Sequence, residues 1–291
     1  MRFEDYPALY QEADQASNRS QSGYLWTLRT QYGLLILASI FGVGISDSPF
    51  YFIAYAFVIF LSMGALLYAG VRKPEKDWYQ LRAFAESIKT LTWRYVARAH
   101  PFETADDIRH PNTQFRNLLR ENIEDSKHIG DALRGYSISS EQVTTNMREI
   151  RESDLSSRKK YYLDNRINDQ RLWYIKKAQS NRKSQKRWVI LCVFIYLIAG
   201  LSVLLRIEFT HPPVWFTEPL IVIGASIVGW MQIKKFNELS SAYTLAAHEI
   251  GLLKSEIQEI DSEEAFSQFV NRAELAFSRE HTQWVARQSG L

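Results

Sequence analysis

The longest uninterrupted apolar stretch of the chain runs from Pro49 to Val71 and contains no charged side chain. Asp47 precedes this stretch, and Arg72 and Lys73 follow it. A bilayer core about 30 Å thick needs about 20 apolar residues of helix to cross it. A core helix of a soluble protein rarely stays apolar on every face over this length. The pattern therefore predicts a membrane-spanning helix at about 49–71.

Three other apolar segments reach or approach spanning length. They predict membrane spans at about 24–45, 188–205 and 217–233. The turn between the first two spans and the loop between the last two are too short to hold a domain. Each pair of spans is therefore predicted to form a helical hairpin.

The first predicted span is the least apolar of the four, because spanning length is reached only by including Arg29, Thr30 and Gln31. Two interpretations are open. In the first, Arg29 extends its charged head to the lipid headgroups, as long basic side chains do. In the second, one face of the helix lines a water-filled path, since polar groups in membrane helices tend to face protein or water. That face contains Thr27, Arg29, Thr30 and Gln31.

Polar helices precede and follow the hairpins, and the most regular of them is predicted at 236–260. Its apolar residues alternate by three and four positions over four heptads, which is typical of a coiled-coil seam. These residues are Phe236, Leu239, Tyr243, Ala246, Ile250, Leu253, Ile257 and Ile260. The seam either joins copies of the chain or packs within one copy against the helix predicted at about 77–99.

Charge predicts the orientation of the spans. The Lys and Arg residues near span ends lie almost all on one side, including Arg72, Lys73, Lys234 and Lys235, and the other side holds only Arg206. Since basic loops stay in the cytoplasm, both termini and the middle segment are predicted to be cytoplasmic. The basic helix at 158–187 either signals this topology or binds anionic lipid or a partner.

The two halves of the chain repeat one plan: a polar helix, a hairpin and a long polar helix. This predicts a first two-transmembrane repeat at 1–153 and a second at 154–291. The predicted fold class is an all-α membrane protein with two transmembrane hairpins, whose long cytoplasmic helices form a bundle or coiled coil.

The sequence contains no arrangement of residues that is typical of catalysis or of a cofactor site. The histidines are not spaced as metal ligands, and Cys192 is the only cysteine, so a zinc site is not expected. Gly42 and Gly44 lie in a predicted membrane hairpin and not between a strand and a helix, so they do not form a phosphate loop. The net charge of +3 is too small to indicate nucleic-acid binding. We therefore expect no enzymatic activity, cofactor, metal or nucleic-acid partner.

Two stretches resemble branches of the SLATT superfamily, the SMODS and SLOG-associating two-transmembrane effector domains. The first stretch contains Trp78, Arg82, Glu86, Lys89 and Trp93. The second contains Arg166, Asp169, Gln170, Trp173 and Lys177, and is followed late in the chain by Glu274, Glu280, His281 and Trp284. The tandem arrangement resembles the four-span members of this superfamily.

This resemblance implies a bacterial inner-membrane effector of nucleotide-signalled anti-phage conflict systems, which perturbs the membrane when a second messenger or sensor protein triggers it. It supplies no catalytic residues. We expect the motif residues of the two stretches to meet in a polar and aromatic cluster that joins cytoplasmic helices. The alternative is that they form a binding surface for a partner or ligand.

Two functions follow from these patterns. The first is an oligomeric pore or channel, for which Thr27, Arg29, Thr30, Gln31, Arg206 and Glu218 are the candidate pore-lining residues. The second is a membrane-anchored coiled-coil scaffold or sensor that holds a cytoplasmic signalling partner. A transporter is less favoured than either, because no carboxylate lies in the middle of a predicted span to couple ion movement.

Overall fold

The computed structural model describes residues 1–103, 109–126, 130, 133, 141–209 and 215–289, with side chains described up to residue 277. Within these ranges the regular structure is entirely helical, which confirms the predicted all-α fold class. The helices are α1 (Ala8–Phe41), α2 (Pro49–Arg72), α3 (Pro74–Val96), α4 (Arg109–Asp125), α5 (Thr145–Glu152), α6 (Leu155–Tyr162), α7 (Asn168–Glu208), α8 (Thr217–Lys234), α9 (Phe236–Glu256) and α10 (Glu263–Ser289).

Local sequence explains where the helices of the first hairpin begin and end. α2 starts at Pro49, a residue suited to the first helical position because its backbone lacks the N–H that would be left without a partner there. α1 ends at Phe41, four residues before the predicted end of the first span at residue 45. Gly42 follows, and Gly44 has a φ of +76°, a conformation that favours glycine. The predicted span therefore extends four residues beyond the end of its helix.

Among the residues that the structure describes, two helical stretches are long and apolar enough to cross a membrane by length and composition, Pro49–Val96 and Leu155–Glu208. They contain the second and third predicted spans. The helices of the first and fourth predicted spans, α1 and α8, include more polar residues within their apolar segments. The hydropathy of these two helices is therefore weaker evidence for a span.

The chain divides into two compact units that cut across the two predicted sequence repeats. The extramembrane unit comprises Met1–Ser22, Pro74–Tyr174 and Leu245–Leu291, and the membrane unit comprises Gly23–Lys73 and Ile175–Thr244. Each unit contains residues from both repeats. The predicted repeats at 1–153 and 154–291 divide the sequence, whereas each spatial unit is assembled from both halves of the chain.

Close contacts between helices organise the membrane unit. The amide of Gln31 on α1 donates a hydrogen bond to Ser62 Oγ on α2 at 3.1 Å, and the Phe41 ring stacks on that of Tyr55. The Tyr32 hydroxyl of α1 lies 2.5 Å from where a Cβ at Gly229 of α8 would be placed. The Tyr196 ring of α7 lies 2.7 Å from the corresponding position at Gly224. α8 therefore packs against helices of both hairpins through its two glycines.

Replacing Gly224 with alanine is expected to lower the free energy of unfolding by about 1–3 kcal/mol, because the new methyl group overlaps the Tyr196 ring. Gly200→Ala is the matched control, since a Cβ at Gly200 meets nothing within 4 Å. This control is expected to gain about 0.5–1 kcal/mol from helix propensity. Unfolding of the purified protein in detergent, followed by fluorescence, measures both changes. Equal stability of the two variants would contradict the close contact.

Helices from both sequence repeats build the core of the extramembrane unit. α3 packs most extensively against α10, and α4 and α5 also contact α3. The rings of Tyr95, Phe102 and Phe115 contact one another and are fully or almost fully buried. Burial of rings this large is a major source of stability in a helical core. The polar helices of the two repeats therefore fold as one core.

Buried arginines satisfy backbone carbonyls at the end of α3. Arg151 donates to the carbonyl oxygens of Tyr95 and Phe102 at 2.7 and 2.8 Å. Arg158 donates to the carbonyl oxygen of Ala97 at 3.1 Å and pairs with Glu263. The last carbonyl groups of a helix have no hydrogen-bond donor within the helix. The two guanidinium groups donate to carbonyl oxygens at and just after the end of α3, so this helix can end inside the core.

Candidate functional site

A buried ion pair between Arg166 and Glu274 lies at the centre of the extramembrane unit. Arg166 Nη2 lies 2.6 Å from Glu274 Oε2, and Arg166 Nε donates to Glu274 Oε1 at 2.8 Å. The side chains are 1% and 0% exposed, respectively. Two parallel hydrogen bonds of this kind give the pair a defined orientation as well as electrostatic energy.

Two neutral donors complete the hydrogen bonding of Glu274. The Tyr162 hydroxyl donates to Oε1 at 2.8 Å, and the Thr90 hydroxyl donates to Oε2 at 3.2 Å. The carboxylate therefore accepts four hydrogen bonds, about the number that its lone pairs can accept. We interpret this carboxylate as a structural acceptor that joins α3, α6 and α10, since its capacity for a further ligand is filled.

The local backbone brings Tyr162 and Arg166 to the same carboxylate. Leu163–Ile167, between α6 and α7, forms a π-helical turn, which is wider than an α-helical turn. Tyr162 ends α6 just before this turn, and Arg166 lies within it. Turns of this kind are rare in helices and often occur at functional sites.

Aromatic rings surround the buried pair. The Arg166 guanidinium lies 4.8 Å from the ring centroid of Phe277 and 6.0 Å from that of Trp93. Trp93, which is fully buried, donates its indole N–H to the Tyr6 hydroxyl at 3.0 Å. Burial alone would lower the pKa of Arg166, but the contact with Glu274 more than compensates and raises it. The guanidinium is therefore charged at every physiological pH.

A second ionic network lies on α3 within the same unit. Arg82 pairs with Glu86 one turn along the helix at 2.7 Å and with Asp14 of α1 at 2.9 Å. Burial lowers the pKa of Lys89, and the carboxylate of Glu86 partly offsets this effect. The Trp78 ring stacks on that of Tyr79, and Trp78 lies fifteen positions before Trp93 on the same helix.

The remaining motif residues are placed elsewhere or lie outside the description. Asp169 is exposed, Gln170 is half-buried, and Trp173 is 38% exposed with its ring edge-on to Tyr174. Lys177 is exposed and belongs to the membrane unit. The side chains of Glu280, His281 and Trp284 lie outside the described residues. Of the motif residues with described side chains, Trp93 and Glu274 contact Arg166. Glu86 and Lys89 of α3 lie near enough for their charges to interact with those of the buried pair.

Sequence reasoning did not select all the residues of this cluster. Tyr162 and Thr90 lie within the motif stretches, and Tyr162 precedes Arg166 by four positions, a spacing that places two residues on one helical face. That spacing was an available signal for Tyr162. Tyr6 and Asp14 carry no comparable signal, because their partners are distant in sequence and only packing brings them close.

The candidate pore-lining residues occupy two separate regions of the membrane unit. Thr27 Oγ1 donates to the Gly23 carbonyl of its own helix, whereas Thr30 is exposed. Arg206 pairs with Glu218 at 3.1 Å across the second hairpin, and its guanidinium lies 5.2 Å from the centroid of the Trp215 ring. That these six residues line one conduction path stays a prediction.

Comparison with protein families assigns both halves of the chain. A family model described as SMODS and SLOG-associating 2TM effector domain 3 matches residues 7–159, more than half of the chain. The model described as SMODS and SLOG-associating 2TM effector domain 1 matches residues 162–284. No curated protein and no solved structure matches this chain. Each matched domain contributes two transmembrane helices by its description, and the chain therefore belongs to the SLATT family of SMODS and SLOG-associating two-transmembrane effector domains, two of which it carries in tandem.

Proposed function

We propose that this protein is a membrane effector that forms a pore or channel-like lesion when several copies assemble in the inner membrane of a bacterium. Both termini and the extramembrane unit face the cytoplasm in this proposal. A nucleotide second messenger or a sensor protein acts on the extramembrane unit as the trigger. The description of the matched families, effector domains associated with SMODS and SLOG, supports an effector role within a signalling system.

The observation that carries the proposal is the outward face of α1 in the membrane unit. Gly23, Thr30 and Gly33 are all exposed in the single chain. A Cβ at Gly23 or Gly33 would meet nothing within 4 Å, so packing within one copy does not require either glycine. Polar groups within a membrane span normally face protein or water, and small residues allow helices to approach closely. We infer that a second copy or a water-filled path covers this face.

The interior of the membrane unit favours a path between copies over a path through one copy. Tyr32 packs against Gly229, and Tyr196 packs against Gly224. Gln31 is hydrogen-bonded to Ser62. The two tyrosine side chains occupy the space between α8 and its neighbours α1 and α7, and Gln31 Oε1 is buried without a hydrogen-bond partner among the described residues. A conducting state in this proposal is therefore lined by the outward face of α1 from several copies.

Replacing Thr30 with leucine is expected to reduce ion flux from liposomes that contain the purified protein by about tenfold. The reason is that leucine side chains from several copies would form an apolar constriction in the path, and water is excluded from such a constriction. Phe60→Leu is the control, since Phe60 is an exposed apolar residue of α2. This control is expected to leave the flux unchanged. The assay is run with and without candidate nucleotides, at several protein densities. Flux from wild-type protein that Thr30→Leu does not alter would contradict a path along α1.

The alternative function is a membrane-anchored scaffold that holds a signalling partner. Its specific support is a pair of exposed leucines one heptad apart on α9, Leu245 and Leu252, which are 71% and 73% exposed. Exposed apolar side chains at this spacing suit docking of a partner helix. Vesicles that stay tight with every nucleotide and at every protein density would favour the scaffold over the pore.

A further inference from the structure

Two basic side chains from different helices meet at one indole ring in the membrane unit. The Arg29 guanidinium of α1 lies 5.6 Å from the ring centroid of Trp230, and the Lys234 ammonium lies 5.7 Å from the same centroid. Arg29 also lies 5.8 Å from the ring centroid of Trp26, which is 65% exposed. Cations are attracted to indole faces, so Trp230 holds both charges near one position.

The charges that shift the pKa of Lys234 are positive, and the carboxylate nearest to it in sequence, Glu238, is exposed. Desolvation lowers the pKa of Lys234, which follows the fourth predicted span, and the neighbouring charges of Arg29 and Lys177 lower it further. The carboxylates of the membrane unit are Asp47, Glu208, Glu218 and Glu238, and the first three flank the hairpin loops at the other helix ends. Like charges held together repel each other, and a bound anion relieves this repulsion.

We propose that Arg29, Trp230 and Lys234 form a binding site for the phosphate of an anionic lipid headgroup. The proposal is independent of pore formation. A topology signal requires only that basic residues lie near the span ends. The proposal instead assigns two particular cations, Arg29 of α1 and Lys234 of α8, to one binding site.

The position of the cluster indicates a lipid as the source of the phosphate. Lys234 directly follows the fourth predicted span, and Arg29 lies five residues after the start of the first, so both are close to the level of the headgroups. Trp26 and Trp230 are of the residue type enriched at membrane interfaces. Arg29 is exposed, which leaves the cluster open to the surrounding lipid.

The electrostatics favour an anionic over a zwitterionic headgroup. A zwitterionic lipid brings its own ammonium group beside the phosphate, which adds a positive charge to a site that already contains several. Phosphatidylglycerol brings a phosphate without that ammonium. Basic groups between transmembrane helices on the cytoplasmic side are a known setting for such headgroups.

Binding of phosphatidylglycerol to the full-length protein in detergent, measured by native mass spectrometry, tests the site. The double variant Arg29→Gln and Lys234→Gln is expected to bind phosphatidylglycerol about 30-fold more weakly than wild type, since each basic group contributes about five- to sixfold. Trp230→Leu, which keeps both charges, is expected to weaken binding by about threefold through loss of the cation–π contacts. Phosphatidylcholine is expected to bind weakly to all of these proteins.

The matched control is the double variant Lys186→Gln and Arg187→Gln, which removes two charges from α7 in the same unit. An equal loss of binding in this control would overturn the proposal in favour of diffuse attraction. Unchanged binding in the Arg29 and Lys234 variant would also overturn it.

Inorganic pyrophosphate is added as a soluble competitor. If it displaces phosphatidylglycerol at equal concentration, this result would overturn the lipid as the source of the phosphate. The melting temperature checks that each variant is folded, and Lys234→Gln alone replaces the double variant if that variant unfolds.

Discussion

The free energy of unfolding is expected to fall by about 3–5 kcal/mol when Glu274 is replaced by alanine. The substitution leaves the Arg166 guanidinium, which is 1% exposed, as a buried charge without its counter-ion. It also removes the acceptor of the Thr90 and Tyr162 hydroxyls. The cost of leaving buried donors without partners adds to that of the uncompensated charge. Denaturation in detergent, with hydrogen exchange of the α3 and α10 amides, measures the loss within the extramembrane unit.

A double variant separates the ion pair from general packing. Replacing both Arg166 and Glu274 with methionine is expected to restore most of the stability that Glu274→Ala loses, because apolar residues of similar volume often replace a buried pair at little cost. Glu249→Ala, an exposed residue of α9, is the surface control and is expected to change stability by less than about 0.5 kcal/mol. A Glu274→Ala protein that keeps its stability and loses only a partner would instead support the binding-surface interpretation of this cluster.

Arg151→Ala is expected to lower the free energy of unfolding by about 2–4 kcal/mol, because two buried carbonyl oxygens lose their donor. These are the carbonyls of Tyr95 and Phe102, and the guanidinium also lies 4.9 Å from the Tyr95 ring centroid. Arg151→Lys is expected to retain part of the stability, since an ammonium presents its donors from one point and lacks the fork geometry of a guanidinium. Denaturation of the purified protein measures both losses.

The pH dependence of this residue has a defined sign. Burial lowers the pKa of Arg151 to about 10, so the group is charged in both the folded and the unfolded protein at neutral pH. Its contribution to stability is therefore constant below pH 10 and becomes more favourable as pH rises above that value. Arg148→Ala, a more exposed position on α5, is the control and is expected to cost less than about 1 kcal/mol. Equal losses in the two alanine variants would contradict the role of Arg151 at the end of α3.

Properties encoded by neighbouring residues were predictable from the sequence. The second predicted span, 49–71, corresponds closely to α2 at Pro49–Arg72, because an unbroken apolar run and a starting proline are local features. Arg82 and Glu86 pair at 2.7 Å, as their spacing of one helical turn predicts. The motif stretches led to the same family that the comparison establishes across 7–159 and 162–284.

Other features could not be derived from local pattern. Asp14 completes the Arg82 network from 68 positions away, and Thr90 reaches Glu274 from 184 positions away. The sequence predicts a short polar helix before the first span, whereas α1 runs continuously from Ala8 to Phe41. No spacing rule indicates which basic side chain of a long helix is buried in the core. Arg166 does so at a π-helical turn, and Lys177 of the following helix is exposed.

By itself, the sequence determined that this is an all-α membrane protein of two tandem SLATT domains, because hydropathy, helical period and family motifs are carried by consecutive residues. Only the tertiary structure decided that the polar helices of both domains share one core, and that Glu274 lies buried among Arg166, Tyr162 and Thr90. The physical reason is that burial and pairing depend on which distant segments pack together. A charged residue has the same local pattern whether water or a buried counter-ion stabilises it.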